Sequence, residues 1–279
     1  MNTFSPLRYP GGKASLASYL KHLIKKNDVT NGTYFELYAG GAGAALDLLF
    51  SKVVHRIILN DADIHIFSFW NEVLHDTEAF IHEIEAVSID IDSWYHQRDI
   101  YNDPIEQHSQ LELGFSTFFL NRCNRSGIIK KAGPIGGMNQ EGNYLINCRF
   151  NKRDLIQRIE RIAREKENIE IYNEDTLCFI ENNIERLQEP HSFMYLDPPY
   201  YQKGKALYLN SYDHEDHVRL RDLLEKNRSL KWMVSYDNVP EIKLLYERFH
   251  NTEHELSYSL QNKRKTNELF IFSDSIQFE

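Results

Sequence analysis

Three cysteines in 279 residues, Cys123, Cys148 and Cys178, are too few and too widely spaced for a disulfide frame or a CxxC metal site. That scarcity points to a reducing compartment, the cytoplasm. No apolar stretch approaches the roughly 18 residues a membrane helix needs. The opening MNTFSPLRYPGGKASLASYL lacks a basic region followed by an apolar run, so no secretion signal is expected. There is no HExxH, no internal repeat and no low-complexity tract, and no metal is expected. What the chain does have is 16 Tyr, 16 Phe and 3 Trp, with 42% hydrophobic residues, enough for a real core and too many for a solvated coil.

Net charge is −9, which taken whole speaks mildly against a nucleic-acid partner. The charge is unevenly spread. Residues 72–112 hold eleven acids and one base, Arg98, and carry −10; residues 121–158 hold eight bases and two acids and carry +6. One face for a polyanion and another for solvent would explain this, and so would a merely solvated basic patch.

Apolar periodicity predicts helices at 15–26, 44–50, 152–164 and 216–226. Strands are expected at 33–38, 55–59, 168–172, 191–196 and 231–235, with a closing pair at 256–260 and 268–272. Residues 71–120 read as helical and acidic, and 121–150, rich in Gly and Asn, as loop or hairpin. The first strand runs into Gly40-Gly41-Ala42-Gly43, then a helix, then a strand ending at Asn60-Asp61: a βαβ unit. The expected architecture is a mostly parallel α/β sheet, residues 1–70 and 166–279, interrupted by an insertion at 71–165.

Two motifs carry chemistry. A glycine turn between strand and helix lets a ligand approach the main chain, and an acid such as Asp61 at the end of the next strand suits a ribose hydroxyl pair. Leu46 stands where a dinucleotide fingerprint has its third glycine. A nucleoside therefore fits better than a dinucleotide, with a plain tight turn as the alternative. The second motif is Asp197-Pro198-Pro199-Tyr200. Two prolines after a buried strand remove two ladder donors and set an extended turn. The Asp197 carboxylate and the Pro198 carbonyl then offer adjacent acceptors to an exocyclic amine, and Tyr200 offers a face for stacking. An Asp helix cap before a proline turn is the bland alternative.

With Arg8-Tyr9-Pro10-Gly11-Gly12-Lys13 at the N-terminus, these motifs resemble the D12-class, Dam-like family of adenine-N6 DNA methyltransferases. YPGGK, YFELYAGGAGAALDLL, LNDADIHIFSFWN and LDPPY occur in the family's order, and LNRCNRSG and SYSLQNKRKTNELFIF also look like family stretches. The resemblance spans nearly the whole chain. It implies a Rossmann-like S-adenosylmethionine-dependent methyltransferase sheet with a helical and loop insertion for DNA recognition. Cofactor contacts would come from Tyr9, Lys13, Glu36, Tyr38, Gly40, Asp61, Asp175 and Asp197. Asp197, Pro198 and Tyr200 would be catalytic. Arg122, Arg125, Lys130 and Lys131 would contact DNA, with Asn139, Gln140, Lys203 and Lys205 as further candidates. KKAGPIGGMNQ departs from Dam itself, so no recognition sequence is carried over.

The implied reaction is methyl transfer to N6 of an adenine flipped out of double-stranded DNA, with a cognate restriction endonuclease as a partner and no membrane. The same chemistry on cytosine N4, an RNA adenine or a protein glutamine is the first alternative. A nicotinamide oxidoreductase and a catalytically silent DNA binder are the others. Of the remaining constellations, His214-Glu215-Asp216-His217 reads as a helix start capped by Asp213, and Lys263-Arg264-Lys265 as a solvated turn.

Overall fold

The computed structural model describes residues 4–8, 16–202, 212–258 and 264–278, with only the main chain for 255–258 and 264–266. Tyr9, Lys13, Lys203, Lys205 and Lys263 lie outside the described residues. Strands β1 (Thr33–Glu36), β2 (Arg56–Asn60), β3 (Ile169–Tyr172), β4 (Ser192–Leu196), β5 (Trp232–Asp237), β6 (His250–Tyr258) and β7 (Arg264–Phe272) form a sheet in the order β3-β2-β1-β4-β5-β7-β6. β1 pairs in parallel with both β2 and β4, and β4 with β5. β7 runs antiparallel to β5 and β6. The order is that of a doubly wound, Rossmann-like α/β sheet closed by an antiparallel pair. Its direction reverses between β1 and β4, and ligands of such sheets bind outside the carboxyl ends of the strands at that reversal.

Two compact units emerge: Met1–Gly12 with Asp63–Ile171, and Lys13–Ala62 with Tyr172–Glu279. In the second, every residue of β4 and β5 is buried, which is why these strands read as near-continuous apolar runs. Leu196, Trp232, Val234, Tyr236 and Ile271 pack there with Leu220 and Leu224 of the helix His214–Lys226. That helix opens on a capping box of Asp213 and Asp216, as its sequence predicts.

Helices α1 (Ala17–Lys26) and α2 (Gly43–Phe50) belong to the second unit; the first is helical, with α3 (Ile64–His75), α4 (Thr77–Ala86), α5 (Ile91–Asn102), α6 (Gln110–Cys123) and α7 (Lys152–Ala163). α6 is buried from Leu113 to Cys123 and has no wet face. Phe69, Phe80, Phe115, Phe118, Phe119 and Phe150 gather in and around it. Gly114 lets α6 touch α3, since a Cβ there would lie 2.8 Å from the Ser68 carbonyl oxygen.

This helical unit takes in residues 63–171, and residues 4–8 group with it. Side chains of this unit hold that segment: Arg158 donates to the Ser5 carbonyl at 3.0 Å and the Arg161 guanidinium lies over the Phe4 ring. β6 also begins six residues earlier than its hydrophobicity suggests. Its start, HNTE, is polar, and pairing to β7 extends the strand where burial does not.

Candidate active site

Asp197 follows β4 directly, at the carboxyl edge beside the reversal. Its Oδ1 accepts a 2.9 Å hydrogen bond from Ser235 Oγ, in the interior of β5. Ser235 Oγ is in turn 2.8 Å from the Tyr195 hydroxyl. Burial, with Asp197 and Glu268 close by, holds the Tyr195 phenol well above its ordinary pKa. Tyr34, on β1, is raised likewise, by burial first and then by Glu36 and Asp197. Asp197 therefore ends a buried polar layer inside an otherwise apolar sheet.

The segment that follows is held from β5 and β7. Pro198 and Pro199 are buried. The Tyr200 hydroxyl donates to Glu268 Oε1. The backbone N–H groups of Tyr201 and Gln202 donate to Asp237 Oδ1 and Oδ2, at 3.0 and 3.1 Å. Asp237 and Glu268 are buried and stand opposite each other in the β5–β7 register. Like charges directly across a ladder repel, so donors from residues 200–202 are what this pair requires.

The glycine turn has the geometry that its composition suggests. Gly40 and Ala42 both sit at φ +45°, the left-handed region. Gly40 N–H donates to Asp61 Oδ2 at 2.8 Å. α2 (Gly43–Phe50) has no side-chain cap at Ala42; buried Glu36 instead accepts from Ala45 N–H at 3.1 Å. Tyr38 OH meets Tyr212 OH at 2.7 Å. Asp175 is exposed and caps the helix Thr176–Asn182 through the N–H groups of Leu177 and Cys178. The turn, Glu36, Asp61 and Asp197 all belong to the sheet unit.

A family model, the D12 class N6 adenine-specific DNA methyltransferase, matches residues 9–260. The chain belongs to that family. It is an adenine DNA methyltransferase. Among its relatives, the type II methyltransferase M.MjaIII of Methanocaldococcus jannaschii is 24% identical over 266 residues, covering 87% of this chain and 88% of its own. M1.LlaDCHI of Lactococcus lactis subsp. cremoris, also a type II methyltransferase, is 22% identical over 256 residues, covering 87% and 84%. A solved chain from Pyrococcus horikoshii aligns with 96% of this chain and 85% of its own, at a TM-score of 0.40 and 12% identity, too remote to bear on the argument.

In the methyltransferase's helical unit the basic segment begins as a tight turn. Asn121 Oδ1 accepts from Arg8 N–H at 2.6 Å, and its Nδ2 donates to the carbonyls of Arg8 and Gly127 at 2.9 and 3.0 Å. Asn124 Nδ2 donates to the carbonyls of Ile128 and Ile129, while its Oδ1 accepts from Trp94 Nε1 at 2.7 Å. Further along, Ile135 N–H donates to the Cys123 carbonyl and Asn124 forms an isolated antiparallel bridge with Pro134, within a segment that otherwise runs as loop and short 3-10 turns.

The basic candidates part ways here. Arg125, Lys130 and Lys131 are all exposed. Arg122 is buried; its Nε donates to the Arg149 carbonyl at 2.7 Å and its Nη1 points to the Pro6 carbonyl. Burial, with Arg8 near, pushes its pKa down to about 10, so it remains a cation spent on internal acceptors. Gln140 is also turned inward, to the carbonyls of Ile135 and Gly137. Asn139 is exposed.

Sequence reasoning missed Tyr195, Ser235, Asp237 and Glu268. One signal could have found Glu268: a lone acid opening the apolar run ELFIF. Ser235 and Asp237, polar residues within WMVSYD, carry the same signal more faintly.

Proposed function

We propose that this methyltransferase transfers a methyl group from S-adenosylmethionine to N6 of an adenine flipped out of double-stranded DNA. The observation that carries this reading is Asp197, held at the carboxyl edge of β4 by Ser235, on the same sheet edge as the glycine turn after β1. The residues present fit the cofactor. Left-handed Gly40 and Ala42 shape the tight turn after β1, Asp61 offers a carboxylate to ribose hydroxyls, and buried Glu36 offers one to a cationic group. Tyr38 and Gly40 would line the turn. Tyr9, Lys13 and Asp175 complete the set implied by the family resemblance. Bound, the cofactor supplies an electrophilic sulfonium methyl.

The adenine N6 lone pair is delocalised into the ring and is a poor nucleophile. Asp197 and the Pro198 carbonyl would accept its two N–H bonds and favour a more tetrahedral nitrogen. Most of the rate gain would come from positioning and from acceptors aimed at charge developing on N6. The base cannot be reached inside a duplex, and flipping costs a few kcal/mol. Tyr200 would repay part of that by stacking; its hydroxyl bond to Glu268 restrains the ring that does so. Arg125, Lys130 and Lys131 would contact phosphates or base edges. Arg122 is proposed to build that surface rather than touch DNA. The work would be done in the cytoplasm, beside a cognate restriction endonuclease against which methylation protects.

The test is sequencing of modified bases in DNA from a methylation-free host that expresses the chain, beside an Asp197→Ala control. N6-methyladenine in one short motif, absent from the control, is the expected result. Absence of methyladenine from both would overturn the reading, and N4-methylcytosine would redirect it.

A further inference from the structure

The contacts behind Asp197 have a direction. An ionised carboxylate has no proton to give, so Ser235 Oγ donates the 2.9 Å bond to Asp197 Oδ1. A serine hydroxyl has a single proton. The 2.8 Å bond between Ser235 and Tyr195 must therefore be donated by the tyrosine. The order is Tyr195 to Ser235 to Asp197, and each donor polarises the next. Burial and two neighbouring carboxylates keep the proton on Tyr195.

Ser235 and Tyr195 are both fully buried, on adjacent parallel strands. A hydroxyl in such a core is costly unless it is paired, and alanine or phenylalanine would fill either place without that cost. The two hydroxyls lead to the carboxylate at the end of β4. We propose that Ser235, itself set by Tyr195, is the positioning residue of Asp197: it fixes the plane of the carboxylate, so that the target amine meets its acceptor in one orientation. This inference rests on Asp197 being the acceptor for the adenine amine.

The experiment compares wild type with Ser235→Ala, Ser235→Cys, Tyr195→Phe and the double variant Ser235→Ala/Tyr195→Phe. Single-turnover methyl transfer, KM for DNA, cofactor affinity and thermal unfolding are measured for each. Ser235→Ala is expected to slow transfer by about tenfold to a hundredfold, the worth of a hydrogen bond to a charged group, with KM and cofactor affinity within about twofold. Tyr195→Phe, which keeps the packing ring, is expected to slow transfer several-fold. The double variant should be no slower than Ser235→Ala, because the two hydroxyls act in series. Ser235→Cys, a weaker donor of similar size, should recover part of the rate.

Merely structural roles would give additive losses, a rise in KM alongside the fall in rate, and no rescue; that pattern overturns the proposal. If Ser235→Ala does not fold, Tyr195→Phe and Ser235→Cys decide it: unchanged rates in both overturn it. Wild type without methyladenine product overturns the functional reading and this inference together. Active wild type with Ser235→Ala at full rate overturns this inference alone.

Discussion

In the turn at 121–128, donors hold the chain: the Asn121 and Asn124 amides and the Arg122 guanidinium all reach for main-chain carbonyls. In the segment at 200–202, just past Asp197, acceptors hold it: Asp237 takes two backbone N–H groups and Glu268 takes the Tyr200 hydroxyl. Both segments are loops leaving a buried element, and both are fixed by buried polar side chains. The sign of the clamp differs with the task proposed for each. A surface meant for phosphates can spend one arginine inward and leave its other cations to solvent. A site meant for an amine gathers carboxylates, and each of them needs a donor to remain buried.

The largest effect should come from the acceptor side. Asp197→Asn keeps the size of the side chain but replaces one acceptor oxygen with a donor. Methyl transfer should fall on the order of a thousandfold, as when a preorganised transition-state contact is removed. Thermal unfolding should change little. Loss of the fold with loss of rate would mean that Asp197 supports the sheet edge instead.

The matching perturbation on the donor side is Gly127→Ala. Gly127 sits at φ +75°, and a Cβ there would lie 2.1 Å from the Arg8 carbonyl oxygen. The left-handed conformation and the clash together should cost on the order of 3 kcal/mol. Because Asn121 ties Arg8 and Gly127 together, the expected outcome is a lower unfolding temperature and, on the proposal that Tyr9 and Lys13 hold the cofactor, weaker cofactor binding. Calorimetry with titrated cofactor checks both.

Arg122 and Arg125 sharpen the comparison within one turn. Arg122→Ala strands two internal carbonyls and should cost roughly 2 kcal/mol of stability. Arg125 is exposed, and Arg125→Ala should leave stability within about 0.5 kcal/mol. Its effect should fall on DNA binding, where losing one phosphate contact lowers the slope of log K against log salt by about 1. Equal salt slopes in the two variants would show that the buried and exposed arginines do not divide the work in this way.

The two clamps also mark how far the order of residues speaks for itself. The sheet strands are legible because β-branched and aromatic runs end at Gly-rich or Asp-Pro turns, as in TYFELYAGG and FMYLDPPY. Asp197 is legible for the same reason. Its supporters are not, because Ser235 and Glu268 are distant in sequence and become neighbours of residues 197–200 only when β5 pairs with β4 and β7 with β5. Arg122 and Arg125 carry the same charge and lie three apart; only burial separates them. The family resemblance implies Asp175 as a cofactor contact; the local contacts it makes are those of a helix cap, and an acid before a helix suits either role.

His217 offers the gentlest test of the acceptor side. It is buried, with Nδ1 2.9 Å from the Tyr236 hydroxyl and the rings of Tyr201 and Tyr212 against it. Burial pushes its pKa down to about 4, against the smaller opposing pull of Asp237 and Asp216. The folded protein thus keeps this imidazole neutral where an unfolded chain, with a pKa near 6.5, would take up a proton. Between those two values the unfolded state binds more protons, so stability should fall as pH falls from about 6.5 towards 4. His217→Gln keeps a polar group for Tyr236 and removes the titration. Denaturant midpoints for both proteins at pH 7.5 and pH 5 should show a smaller acid loss in the variant. If Asp237 instead held His217 as an ion pair, the sign would reverse: the wild type would gain on the variant as pH fell, and the clamp at 200–202 would contain a cation that the hydrogen bonds to Asp237 leave no need for.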